Sequence, residues 1–296
     1  MLVDLAKAIK WLSEYTNCLL LDNCSRSREY LSKAVGEFSL LLMIIKQSQL
    51  TNSMGDLDGL DRLIPTIEEN IDDISKSDLE KAQILLCLSF YETDKKPKQS
   101  IIDEIVSKKE HISNNIELAY IISQCGVSLP LNYWDSQLVK VFCELLNGKE
   151  SNYRKVLYDL THVIFFATNF GCRIFPVKTA CLLKTSVEIL FKAVEKSILE
   201  QDWDLAIELL IALVVIQSGE IENQEMLSLT QTLLKNQRAD GAFVSDGNPK
   251  GNPETISHRN AYSVYHTTAI AVILNLLIEK HLTNQIIRTQ QRWAGV

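Results

Sequence analysis

The sequence predicts an all-α fold. With 11 Gly and 6 Pro in 296 residues, about 6% of positions break regular structure, against an average of about 12%. Apolar residues, 46% of the chain, recur at spacings of three and four, the period of an amphipathic helix. The turn clusters of a β-sandwich and the glycine loop of a nucleotide-binding α/β enzyme are both missing. A chain of this length and apolar content buries a large core, which excludes disorder.

Taken in order, the apolar spacing places helices at 2–21, 25–48, 58–70, 77–92, 98–110, 114–126, 131–147, 152–170, 176–199, 202–217, 222–237 and 259–280, with a weak extension to 292. Ser77 with Glu80 three residues on reads as a capping box before the apolar run from Ile84 to Phe90. Gly126, Gly148, Gly171 and Gly219 each follow a periodic segment and suit a left-handed C-cap, with Pro130 and Pro176 shortly beyond two of them. Glu117 to Ile122, Asp159 to Ile164 and Asp204 to Leu209 form a faint repeat at spacings of about 42 and 45 residues, the period of a helical hairpin repeat. About six hairpins fit the length and close into an α/α toroid with a central cavity; an open HEAT-like solenoid is the alternative. The expectation is one all-helical domain over 1–296, with a subdivision near 112–130.

Charge and termini exclude several functions. The net charge is -7 with acids and bases interspersed, so no basic stripe meets a nucleic-acid backbone. Cys18, Cys24, Cys87, Cys125, Cys143, Cys172 and Cys181 include no C-x-x-C pair, which suits a reducing cytosol. The first helical segment carries Asp4, Lys7, Lys10 and Glu14, unlike an export signal. The most apolar stretch, Leu205 to Gln217, is too short for a bilayer and contains Glu208. A cytoplasmic protein bound to neither nucleic acid nor membrane is expected.

The segment Gln237-Arg238-Ala239-Asp240-Gly241-Ala242-Phe243 resembles the Q-x-x-D-G-x-W/F repeat of terpenoid cyclases and related α/α-toroid proteins. Tyr265-His266-Thr267-Thr268 is similar to a helix start of protein prenyltransferase β subunits, where the histidine binds zinc. The resemblance implies a toroid. The family's Asp-x-Cys ligand pair has its only counterpart in Asp22-Asn23-Cys24, in the wrong repeat, and no Asp-x-Asp-Asp acid motif is present. Asp72-Asp73 lacks a facing D-D-x-x-D cluster and reads as a solvated helix end. The expectation is therefore a site without metal or other cofactor.

The segment Tyr158 to Gly171 is the richest in candidate chemistry. Tyr158, Asp159 and His162 are spaced to share a helical face, and Phe165, Phe166 and Asn169 extend it by one turn. Burying such polar groups beside phenylalanines costs free energy unless they are paired or form a site, and imidazole transfers protons near neutrality. His162 oriented by Asp159, together with His266, is the expected catalytic set. Tyr158, Phe165, Phe166, Asn169, Tyr262 and Tyr265 are the expected substrate-binding residues. The polar loop Val244 to Asn260, containing His258 and Arg259, is a candidate lid; Cys172 is a conceivable nucleophile better explained by packing. The expected function is acid–base chemistry on a small, largely apolar metabolite in specialised biosynthesis: cyclisation, isomerisation or elimination. The alternative is a non-catalytic helical-repeat scaffold binding a protein, a second copy of the chain or a lipid-like ligand.

Overall fold

A computed structural model describes residues 4–21, 28–47, 62–91, 99–107, 115–147, 152–171, 173, 180–216, 224–245 and 264–280. Among them every regular element is a helix. In order these are α1 (Leu5–Leu21), α2 (Arg28–Gln47), α3 (Leu63–Glu69), α4 (Ile71–Ile74), α5 (Asp78–Tyr91), α6 (Gln99–Ser107), α7 (Ile116–Gln124), α8 (Tyr133–Asn147), α9 (Tyr153–Ala167), α10 (Ala180–Leu199), α11 (Trp203–Ile216), α12 (Gln224–Leu234) and α13 (264–280). An isolated β-bridge joins Gln237 and Phe243.

Helix ends follow local chemistry. Asn115 caps α7, its side-chain oxygen accepting the Leu118 N–H at 2.9 Å, and Gly126 closes that helix at φ +78°, a conformation that suits glycine. At the start of α5 the Glu80 N–H donates to Ser77 Oγ at 3.2 Å. The Glu80 carboxylate turns to the Lys76 N–H at 2.6 Å and to the Ser32 hydroxyl on α2, so the cap also joins two helices. Gly171 takes the expected left-handed conformation, φ +75°; Gly148 and Gly219 lie outside the described residues.

The faint repeat becomes three neighbouring helices. Its copies fall on α7, α9 and α11, with α9 packed against both of the others and α8 and α10 set between them in sequence. Every residue of α11 from Leu205 to Val215 is buried, as expected of a helix that is apolar all round. Glu208 is the one acid in that run.

The last described segments meet the first. Gln237 brackets the backbone of Asp4 before α1, accepting from its N–H at 2.9 Å and donating to its carbonyl at 3.0 Å. Gly241, at φ +100°, lies so close to α1 that a Cβ there would sit 2.4 Å from the Lys7 carbonyl oxygen. Phe243 is buried and its N–H donates to Thr268 Oγ1 at 2.9 Å. Tyr265 of α13 is fully buried against Tyr15, with ring centroids 5.3 Å apart, and its hydroxyl meets Thr16 at 3.1 Å. No helix among the described residues is long and apolar enough to cross a membrane.

Candidate active site

Three neighbouring helices and one from the amino-terminal part converge on a polar cluster. α9 sets Tyr158, His162, Phe165 and Phe166 along one face, with the His162 ring centroid 6.4, 6.3 and 6.0 Å from those of Tyr158, Phe165 and Phe166. α11 contributes Asp204 and Glu208, one helical turn apart, α13 contributes His266 and Thr267, and α2 contributes Glu37. This arrangement arises because helical neighbours at i and i+4 stack on one face.

Glu208 stands at the centre, its side chain 1% exposed. Its Oε2 accepts the Thr161 hydroxyl at 2.6 Å and faces His162 Nε2 at the ion-pair distance of 3.6 Å. Its Oε1 lies 3.3 Å from His266 Nε2. The other nitrogen of His266, Nδ1, is 3.1 Å from Glu37 Oε1, and Asp204 Oδ1 is 3.8 Å from Nε2. Asp204 accepts the hydroxyls of Tyr158, at 2.5 Å, and Thr267, at 2.8 Å. Outside it, Arg154 donates to the Tyr158 hydroxyl at 3.0 Å and makes a two-point pair with Asp202.

These contacts set the charges. Burial opposes the imidazolium of His162, but the Glu208 charge outweighs it and the pKa rises. Burial likewise opposes a charged His266, yet Glu37, Glu208 and Asp204 together raise its pKa well above the usual imidazole value. Burial alone would raise the Glu208 carboxyl; the two histidines instead pull it down to about 2. Asp204 and Glu117 are raised, chiefly by burial. His162 keeps 41% and His266 25% of side-chain exposure.

A hollow of about 190 Å³ between α2, α5 and α7 lies beside the cluster, lined by Glu37, Glu80, Gln83, Cys87 and Glu117 among others. Glu117 interacts through space with His162, and Glu37 both lines the hollow and holds His266.

The structure brings together Tyr158, His162, Phe165, Phe166 and His266, and it corrects the expected role of Asp159. That carboxylate pairs with Lys155 at 3.0 Å and lines a separate surface hollow with Lys140, Glu144 and Val163. Three helical residues advance by 300°, so Asp159 points 60° away from His162, toward α8. Glu208 takes the expected place beside His162. Tyr265 is turned toward α1 instead of the cluster, because adjacent helical residues diverge by 100°. Asn169 is buried, and its side-chain oxygen accepts the Tyr120 hydroxyl at 2.6 Å. Tyr262, the loop from 246 to 260, Cys172 and the Asp22-Asn23-Cys24 segment lie outside the described residues.

Sequence reasoning missed Glu37, Asp204 and Glu208 as site residues. The signal for Glu208 was present: an acid inside an otherwise apolar helix. Asp204 one turn before it strengthens that signal, whereas Glu37 has none, since its partner is more than 200 residues away. Both ring nitrogens of His266 face carboxylates, and among the described residues no group of three ligating side chains is placed to hold an ion.

Fold and cluster together define an all-helical protein with two histidines gathered on one buried carboxylate. The chain belongs to the family described as a domain of unknown function, DUF6895, whose model matches residues 113–276. No curated protein and no solved structure matches it. Tyr158, His162, Asp204, Glu208 and His266 all fall within the matched segment; Glu37 lies outside it.

Proposed function

We propose that this chain is an α/α-toroid enzyme that uses His162 as general acid and base on a small, largely apolar metabolite, in a cyclisation, isomerisation or elimination of specialised biosynthesis. The observation that carries this reading is the sharing of one buried carboxylate, Glu208, by two imidazoles, one of which keeps 41% side-chain exposure. Structural ion pairs do not require such access; proton transfer to a bound molecule does. The ring is supported by the contacts of α1 with residues 237–243 and Tyr265, which bring the two ends of the helix series together.

In the proposed reaction His162 as free base accepts a proton from the substrate. The resulting imidazolium is stabilised by Glu208, whose other oxygen stays engaged by His266. Return of that proton to a second carbon completes an isomerisation, and its delivery to a departing hydroxyl, whose C–O bond breaks as the C=C bond forms, completes an elimination that releases water. Phe165 and Phe166 form the apolar wall beside the ring. Incubating the purified protein with metabolite extract and following small molecules by mass spectrometry tests this. Species consumed or formed by the wild type and unchanged with His162→Gln are expected; identical traces for the two proteins overturn it.

A scaffold reading has its own observation. Val139 and Leu146, seven residues apart on one face of α8, are 44% and 78% exposed, and Leu131 just before the helix is 92% exposed. A protein partner or second copy covering that face would bury them.

A further inference from the structure

The two histidines of the cluster are held unequally. His266 meets carboxylates at both ring nitrogens, Glu37 at 3.1 Å and Glu208 at 3.3 Å, so a neutral ring would turn a lone pair toward one of them. His162 meets Glu208 through Nε2 at the longer 3.6 Å and is more exposed, 41% against 25%. We infer that Glu37 is the positioning residue that divides the work of the pair: its carboxylate holds His266 as a fixed cation and leaves His162 as the proton-exchanging partner of Glu208.

The inference deepens the acid–base reading above and rests on it for the word "work"; the division of charge stands on geometry alone. Facing His266 are Glu37 from α2 and Asp204 and Glu208 from α11, while α9 brings His162, and Tyr158 through Asp204. Glu117 of α7 acts on His162, and Glu80 of α5 acts on Glu117. The two imidazoles repel each other when both are charged, so whatever lowers the charge of His266 favours charge on His162. Glu37 stands outside the segment that the family model matches. The amino-terminal helices thus supply the group that sets the charge of a histidine inside that segment.

The test is a titration of the full chain with isotope-labelled histidine, followed by NMR and assigned with His162→Gln and His266→Gln. In the wild type, His266 stays protonated to a higher pH than His162. Glu37→Gln keeps the shape and one hydrogen-bonding oxygen while removing the charge. In that variant His266 releases its proton at lower pH and His162 at higher pH, the two moving in opposite directions. A wild type in which His266 titrates with or below His162 overturns the inference, and that comparison stands even if the variant does not fold. A variant in which both stay fixed, or both move the same way, overturns it too. The extract assay separates the two claims: opposite shifts with no turnover leave the role of Glu37 intact and remove the catalytic reading.

Discussion

Asp159 and Glu208 present the same functional group to the same helix and end in opposite circumstances. Asp159 is three residues from His162, yet it lies on the outer side of α9 beside Lys155, with 37% and 75% side-chain exposure. Glu208 is remote in sequence, yet it meets His162 and is 1% exposed. In water an ion pair is screened and its partners lose little on parting. Inside the helical body the same pair is strongly coupled, and each member fixes the charge of the other. Proximity along a helix therefore says less about chemistry than which side of the helix faces the core.

The largest effect that breaks this comparison is expected from Glu208→Ala. It removes the acceptor of Thr161 and the shared partner of His162 and His266, leaving His162 without its paired carboxylate beside a His266 still held by Glu37 and Asp204. Breaking a buried pair from one side costs about 3–5 kcal/mol. Chemical denaturation monitored by circular dichroism should show a loss of that order at pH 6. A loss below about 1 kcal/mol would mean that the carboxylate is an ordinary surface acid and that the contrast with Asp159 is empty.

An intermediate effect is expected from pH. The pKa values of His162 and His266 are raised on folding, so their contribution is complete below about 6.5 and is lost as pH climbs through the folded values. Glu208 is lowered to about 2 from 4.5, so its contribution is present above 4.5 and is lost as pH falls toward 2. Asp204 and Glu117 are raised by burial from 3.8 and 4.5, so their contribution is complete below those values and is lost as pH rises above them, which draws the maximum toward its acid end. Stability should therefore be greatest between about pH 4.5 and 6.5, and thermal melts across pH 3–9 read it directly. Glu208→Gln should flatten the acid limb; a maximum above pH 8 would contradict the assigned charges.

Much of the helical framework was legible because it rests on local signals. The three-and-four spacing, the Asn115 and Gly126 ends of α7 and the 42- and 45-residue repeat appear as helices, caps and neighbouring packed elements. His162 and His266 were legible for a similar reason, as polar groups out of keeping with their apolar surroundings. The carboxylates that govern them were not. Their partners are set by packing between α2, α9, α11 and α13, and no spacing in one helix records which residue of another it will face. Asp159 was misplaced because a three-residue spacing permits two orientations 60° apart, and only the presence of α8 on one side and α11 on the other decides between them.

The smallest expected effect sharpens the same point. Asp159→Ala deletes an exposed pair with Lys155 and leaves the contacts among His162, Glu208 and His266 in place. Its thermal midpoint should lie within about one degree of the wild type, since exposed pairs of this spacing contribute little and salt screens them. More decisively, the His162 resonance in the labelled protein should titrate at the same pH with and without Asp159, whereas Glu208→Gln should lower it. If removing Asp159 moves that titration as far as neutralising Glu208 does, then α9 is rotated relative to the packing described above. Asp159, not Glu208, would then be the residue that governs the histidine.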